Sequence, residues 1–434
     1  MKIGILGGGL AGISAAYFLR AHEHEVLEEF SRIGGHCKTK KKDGFSYDMG
    51  GHIIFSKDTE ILDFMLKKMK GNIKSHYRNN SIWFKKRFVK YPFENGLSVL
   101  DKQDIFECLY YFFNNDYPKP KSNFKEWIYH TFGKGIAEKY LIPYNKKIWK
   151  INPGELGLNW VEGRVPKPPA EDIIKSAIGI ETEGYTHQLN FWYPEKGGIE
   201  SLVLALGKSV NNILLNYKIK KIKKTNDGWS ISDGKAEKIY DVIINTMPIP
   251  DLLSCLENVP GHIIKAVNSL RYNAIIIAMI GLNKVKFTDK FAVYLADENT
   301  IYHRLCFYTF LKADHAPEGK HTVTAEITYC PGDKISKMSN EEIIKHIIDT
   351  MEQQGFIDSK DVCETDLVNS RYGYVVNTIG YLGKLKKIRE YFDSIGIHLC
   401  GRFAEFEYLN TDAVIRHAFE LAKKITNEPN MKLE

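Results

Sequence analysis

The sequence predicts an α/β fold: a discontinuous Rossmann-like nucleotide-binding domain, a helical insertion, and a second domain built on an antiparallel or mixed sheet. Three observations carry this. Lys2 to Thr39 reads as strand, glycine turn, helix and second strand. From Leu97 to about Asn190 strand patterns thin out and aromatic-rich helical spacing takes over. Beyond Tyr272 several β patterns follow one another, and an apolar strand leading into a helix returns once more near the C-terminus. With 434 residues the chain is too long for one ordinary core, and 44% hydrophobic with 26% charged residues is a globular composition.

Ile3-Gly4-Ile5-Leu6 is the first strand. It runs into Gly7-Gly8-Gly9-Leu10-Ala11-Gly12 and then a helical pattern over 13–19. Gly7 permits the tight turn, Gly9 lets backbone approach a pyrophosphate on the positive end of the helix dipole, and Gly12 lets helix and strand pack closely. The strand Glu25-Val26-Leu27 ends at Glu28 and Glu29. That is about 20 residues past the first glycine, where a carboxylate can take a ribose hydroxyl. Arg32, Gly34, Gly35, His36 and Thr39 come next, so backbone nears the ligand a second time. Nicotinamide dehydrogenases have no use for that second pass. The run resembles the R-x-G-G-x-x-x-T signature of flavoproteins similar to amine oxidases and protoporphyrinogen oxidase. A third pair, Gly50-Gly51, follows Asp48-Met49 and precedes His52. These approaches imply FAD, bound non-covalently, with close backbone along its pyrophosphate, ribityl chain and ring.

Residues 58–69 have the spacing of an amphipathic helix, with Ile61, Leu62, Met65 and Leu66 on one side. Residues 82–84 and 88–91 read as strands around the basic turn Lys85-Lys86-Arg87. Helical spacing recurs over 104–113, 123–132 and 136–141, and the core is the expected place for Phe106, Tyr110, Tyr111 and Phe112. After Gly197-Gly198 come a helix over 199–206, a basic strand over 217–222, a hairpin through Asn226-Asp227-Gly228, and a strand over 240–245. That strand ends in Thr246-Met247-Pro248, a turn that such flavoproteins place against the adenine half of FAD. Residues 272–282, 292–296, 304–310 and 322–328 are β patterns, and 340–353 is an amphipathic helix. A last strand at 397–400 leads through Gly401-Arg402-Phe403 to a helix over 411–426. The expected pieces are therefore 1–76, 191–252 and 392–434 for the FAD-binding domain, 96–190 for the helical insertion, and 77–95 with 253–391 for the substrate sheet.

The net charge of +7 is a mild excess that suits an anionic small molecule better than nucleic acid. Seven cysteines are scattered without a CxxC, which predicts reduced thiols in a cytoplasmic protein and no metal site. The first strand begins at Lys2, so no signal peptide is expected, and no apolar run is long enough to span a bilayer.

Further segments extend the likeness over nearly the whole chain. They are the run from Asp48 to Ser56, Tyr91-Pro92-Phe93-Glu94-Asn95, Phe132 to Ala137, Pro143-Tyr144-Asn145 with Trp149, Gly163-Arg164-Val165, Tyr302-His303-Arg304, Tyr372-Gly373-Tyr374, and Gly401 through Tyr408, Asn410 and Asp412. With these the chain resembles the UDP-galactopyranose mutase family, nearer its long eukaryotic-type members and their microbial relatives. The resemblance implies an isomerase that converts a nucleotide-diphosphate sugar between pyranose and furanose forms for polysaccharide or glycoconjugate synthesis. It implies reduced FAD as the active form, with flavin N5 as the nucleophile and no net redox change. An external reductant such as NAD(P)H or a reductase would keep it reduced, and an oligomer is compatible with it. The protein's share is then positioning and charge stabilisation.

In that reading Arg164 and Arg304 grip the diphosphate from two sides with planar forks. Tyr294, Tyr374 and Tyr408 add phenolic donors, and Tyr91, Glu94, Asn145, Trp149 and Asn410 complete the substrate pocket. His52 sits near flavin N5 and the C4 carbonyl, and is grouped with Arg164 and Arg304 at the reacting centre. Gly401, Arg402 and the helix start at Asn410-Thr411-Asp412 face the flavin pyrimidine edge. Two positions depart from the family pattern. Glu94 stands where the family has Gln near the base, and a carboxylate donates no hydrogen bond unless protonated. The loop between Tyr408 and Asn410 is also short. The competing readings are an FAD-dependent oxidoreductase of the amine oxidase or protoporphyrinogen oxidase type, and a non-catalytic FAD-binding or polysaccharide-assembly protein.

Overall fold

A computed structural model describes residues 1–161, 164–165, 167–183 and 189–434. Gly163, one of the resemblance positions, lies outside the described residues.

The nucleotide-binding half is a five-stranded parallel sheet. Its order across the sheet is Ile397–Leu399, Val242–Asn245, Ile3–Leu6, His24–Leu27 and Ile213–Leu214. Chain segments far apart in sequence thus become neighbours. Ile3–Leu6 in the centre is an uninterrupted apolar run, buried on both faces. The helices Leu10–Phe18 and Thr411–Thr426 pack together on one of them. The carboxyl ends of the strands run into Gly7, Glu28, Thr246-Met247 and Gly401-Arg402 at one edge, where open α/β sheets hold their ligands. An antiparallel meander of Lys221–Thr225, Gly228–Ser232 and Glu237–Tyr240 flanks this sheet.

The second sheet has seven strands in the order Val362–Val376, Arg271–Leu282, His321–Tyr329, Arg304–Phe307, Ala292–Leu295, Asn80–Phe84 and Arg87–Lys90. All its pairs are antiparallel except Asn80–Phe84 with Ala292–Leu295, so the sheet is mixed. Strand alternation gives it two buried faces of different character. Along His321–Tyr329, Val323, Ala325 and Ile327 pack with Ile343, Ile347 and Met351 of the helix Asn340–Gln353. Thr322, Thr324, Glu326 and Thr328 form the other face, equally buried. The helices Lys102–Phe113, Phe124–Ile136, Ile142–Trp149 and Ala170–Ala177, with a π turn at Ala137–Leu141, cap one end of this sheet.

The structure corrects several expectations. Phe106 and Tyr110 are 57% and 48% exposed, because the buried stripe of their helix runs through Asp104 and Cys108. Tyr111 and Phe112 are half-buried. The strand expected over 217–222 starts at Lys221, and the one expected over 304–310 stops at Phe307, where a 3-10 turn, Tyr308–Leu311, begins. The segment expected to be helical over 136–141 is helical, Ile136 ending the helix Phe124–Ile136 and Ala137–Leu141 forming the π turn. Strand Val362–Val376 and helix Tyr381–Ile395 were not expected at all.

Candidate functional site

A single cavity of about 1740 Å³ runs from the carboxyl edge of the parallel sheet to the helical cap. That exceeds the roughly 300–1,000 Å³ that holds one drug-sized ligand, so there is room for a dinucleotide and a second molecule.

At one end the wall is backbone. Gly7 turns with φ +104°, and the N-terminus of Leu10–Phe18 opens onto the cavity with Gly9, Leu10 and Ala11 on its wall. Gly9 and Gly34 form a bridge, the Gly34 N–H donates to the Gly8 carbonyl at 2.9 Å, and a Cβ on Gly9 would meet nothing nearer than Gly35 Cα at 3.6 Å. Two backbones pass there with no side chain between them, which leaves a trough a pyrophosphate can enter. Gly12 and Gly34 themselves do not line the cavity. A Cβ on Gly12 would stand 1.9 Å from the Gly7 carbonyl oxygen, so its role is helix–strand contact. Glu28 is buried, with its carboxylate accepting the Gly8 N–H at 2.6 Å and the Phe30 N–H at 3.0 Å. Glu29, Arg32, Gly35, His36 and Met247 are on the same wall. Arg32 is half spent on structure, donating to Glu200 at 3.1 Å and to the Thr39 carbonyl.

Further along, Gly50, Gly51, His52, Gly401, Arg402, Asn410, Thr411 and Asp412 surround the middle of the cavity. The helix Thr411–Thr426 starts there with Asn410 as its N-cap, so its first-turn amides and dipole point at the space. Burial, with the charges of Arg402, His36 and Arg304, pushes the His52 imidazole down to about 3, and its buried Nδ1 has no partner among the described residues. His52 is therefore neutral at ordinary pH.

The far end is aromatic and cationic. The Tyr408 ring is close to two guanidiniums, 4.3 Å from that of Arg164 and 4.9 Å from that of Arg402. Arg164 also donates to the Tyr408 carbonyl. Tyr374 is 5.8 Å from Tyr408, and Trp149 touches both. Arg304 stands 6.0 Å from the Tyr294 ring, which stacks on Tyr91. Tyr91, Glu94, Asn145, Trp149, Tyr294, Arg304, Tyr374 and Tyr408 all reach the wall. Asn145 and Trp149 satisfy each other: Trp149 Nε1 donates to Asn145 Oδ1 at 3.0 Å, and Asn145 Nδ2 donates to the Leu141 carbonyl.

Two buried carboxylates behind this wall were missed by sequence reasoning. Glu326, wholly buried, accepts Arg304 Nη2 at 2.6 Å and the Gly51 N–H at 2.8 Å. Burial alone would weaken the charge on Arg304, but Glu326, with smaller contributions from Tyr374, Cys306 and Tyr294, more than offsets it and keeps the guanidinium charged. Asp48 accepts from the Thr39 and Tyr193 hydroxyls and the Ile199 N–H, which ties the hairpin Thr39–Asp48 to the distant stretch 193–199. The signal for Glu326 was present, as a lone acid on the Thr-rich side of an alternating strand. Asp48 sat in plain view before Gly50-Gly51, but nothing local named its partners.

Residues 10–380 match the family described as flavin-containing amine oxidoreductase. The chain belongs to that family. FAD is its cofactor, and the glycine trough, the orphaned His52 Nδ1 and the helix start at Asn410 fit it. In fold, this family member is similar to a crystal structure of reduced UDP-galactopyranose mutase, with TM-score 0.90 and 24% identity over 99% of this chain and 96% of that one. It is also similar to putrescine oxidase bound to putrescine, with TM-score 0.69 and 16% identity over 99% and 100%. A fatty acid isomerase from P. acnes that produces CLA follows, with TM-score 0.64 and 14% identity over 97% and 98%. Among curated proteins, a 4,4'-diapophytoene desaturase of Staphylococcus aureus (strain Newman) is 40% identical over 60 residues, 13% of this chain and 12% of the desaturase. The shared fold thus serves oxidation and isomerisation alike, and the family places a flavin without fixing the reaction. Among the described residues no helix is long and apolar enough to cross a membrane, and no cluster could hold a metal ion.

Proposed function

We propose that this flavoprotein interconverts the pyranose and furanose forms of a nucleotide-diphosphate sugar. The observation that carries the reading is the run Arg304, Tyr374, Tyr408, Arg164, which lines one cavity with the Gly50–His52 turn. Two guanidiniums and two phenols are more than an amine or a hydrocarbon needs, and they suit a diphosphate.

When bound, reduced FAD supplies the nucleophile. The chain's own residues do the rest. Negative charge grows on the diphosphate as the anomeric bond breaks, and Arg304, preset by Glu326, meets it without reorganising. Arg164 closes the opposite side, locked over the Tyr408 ring. Neutral His52 and the amide end of Thr411–Thr426 border the reacting centre, where an anionic ring edge gains from N–H donors and a positive helix end. Trp149, Tyr374 and Tyr408 keep water from the sugar. An external reductant, such as NAD(P)H or a reductase, would maintain the reduced state.

The test is incubation of dithionite-reduced protein with UDP-galactose under nitrogen, followed by separation of the ring forms. Interconversion without net consumption of reductant is the expected result. The family's amine oxidoreductase description favours a second reading, substrate oxidation. Oxygen uptake in proportion to product, with no change of ring form, would establish that one instead.

A further inference from the structure

The helical cap turns one side to the cavity and leaves an apolar outer side bare. Along Lys102–Phe113, the residues Ile105, Cys108, Leu109 and Phe112 pack into the core. Phe106, Tyr110 and Phe113 recur at helical spacing on the outward side, each with about half its surface exposed. Phe106 stacks on Tyr110 at 5.5 Å. The helix Ala170–Ala177 packs alongside, and this stretch adds Ile174, Ile178 and Ile180, of which Ile178 is 68% exposed. The turn Leu97–Val99 joins the two helices. The Leu97 N–H donates to the Ser176 hydroxyl at 2.9 Å, a Cβ on Gly179 would stand 3.9 Å from that of Ser98, and Val99 is exposed. Exposed apolar side chains gathered on one face mark an interaction surface.

The rim of this face is basic. The hairpin turn Lys85-Lys86-Arg87 reaches it: Lys85 pairs with Asp104, and Arg87 pairs with Asp101 and donates to the Val99 carbonyl at 3.2 Å. Glu107 is taken by Lys139, Glu171 by Lys175, and Glu181 and Glu183 by Lys90. These pairs leave Lys86, Lys102, Lys119 and Lys121 exposed and without an acidic partner among the described residues, against Asp116 and Asp172. Phenylalanine, tyrosine and isoleucine ringed by free lysines suit the headgroup layer of a bilayer. There the apolar side chains sit at the acyl boundary, and long lysine stems carry their ammonium groups to the phosphates. We propose that this outer face of the helical cap seats the protein on an anionic phospholipid surface. A second copy of the chain is the poorer fit. In a twofold contact each copy presents the same lysines to the other, and interface cores shed lysine. The seating holds whichever reaction the flavin performs.

Pelleting of FAD-loaded protein with vesicles tests it, using phosphatidylcholine alone and phosphatidylcholine mixed in equal parts with phosphatidylglycerol. The protein is expected to pellet with the mixed vesicles and not with the neutral ones, and to be released as salt rises. Lys86→Gln with Lys102→Gln should weaken partition onto the mixed vesicles on the order of 25-fold, about fivefold for each lysine near such a surface. Phe106→Ser with Phe113→Ser keeps every charge and should weaken it on the order of tenfold through lost apolar area. All four side chains are exposed and none lines the cavity, so both double variants should keep their flavin colour and melting temperature. Native protein that stays in the supernatant with the mixed vesicles overturns the proposal, and so does binding that either pair of substitutions leaves unchanged. A native dimer in analytical ultracentrifugation that the phenylalanine pair splits overturns it too, and gives the face to a second copy.

Discussion

Arg304 is tied from behind. Its partner Glu326 is wholly buried, so removing the arginine alone strands a carboxylate in the interior, at a cost of about 3–5 kcal/mol. Arg304→Ala should therefore melt at a lower temperature whether or not the guanidinium ever meets a diphosphate, and a thermal melt of that variant separates nothing. The double variant Arg304→Ala with Glu326→Gln removes both charges. It is expected to keep FAD and to melt well above Arg304→Ala. Its loss of isomerisation should correspond to about 2–4 kcal/mol of transition-state stabilisation. The loss should fall on kcat and not on KM alone, because the charge being stabilised develops only as the bond breaks. Arg304→Lys keeps the ion pair without the fork, so stability should recover while activity stays low. Steady-state kinetics beside a melt check all three. Native activity in the double variant would remove the diphosphate role from Arg304.

At the scale of elements, the strand–turn–helix at the N-terminus separates two uses of glycine. Gly12→Ala drives a methyl into the Gly7 carbonyl oxygen, backbone against backbone, and no rotamer relieves it. That variant is expected to lose about 3 kcal/mol of stability and to purify without flavin. Gly9→Ala meets only ordinary contacts, so it should fold normally, yet its methyl faces the trough and should weaken FAD binding. Visible absorbance and a melt of the two variants distinguish them, and equal damage to both would mean the trough is not where the pyrophosphate lies. This motif was legible in the sequence because its determinants are local: a turn, a helix end and a strand within a few residues. Helix Asn340–Gln353 was legible for the same reason, with Ser339 and Glu342 forming a capping box. Strand Val362–Val376 was not. Its own residues alternate weakly, and it is a strand because Arg271–Leu282 pairs with it from far away in sequence. Helix Tyr381–Ile395 is a different case, since Tyr381, Leu385, Ile388 and Phe392 carry helical spacing between Gly380 and Gly396. Phe106 and Tyr110 misled because apolar side chains were taken as buried, while their helix turns Asp104 and Cys108 inward. At the site, Arg304 stood out by its type, but Glu326 needed the register that sets it opposite Arg304 across two strands.

At the scale of the molecule, the cavity is walled by segments from both ends and the middle of the chain, and Asp48 anchors the stretch Met49–Ile53 of that wall from behind. It is wholly buried and takes hydrogen bonds from Thr39, Tyr193 and Ile199, while the nearby Glu200 accepts from Arg32 and the Thr39 N–H. The segment around Gly401 closes the same cavity from the C-terminal side. FAD should therefore act as a clamp on the whole fold. Free FAD at about 100 times its dissociation constant adds about 2.7 kcal/mol of stability, which for a chain of this size raises the melting temperature by about 3 °C. Hydrogen exchange on protein with and without FAD locates that gain. Protection is expected together at 7–12, 34–51, 246–248 and 401–414, because each lines the cavity and none can open around a bound dinucleotide without releasing it. Asp48→Ala should uncouple them. It leaves three buried donors without an acceptor, at about 3 kcal/mol. In that variant FAD should protect 7–12 while 34–51 exchanges early. Protection confined to 7–12 in the native protein would mean that FAD binds one glycine turn, and that the rest of the cavity has another tenant.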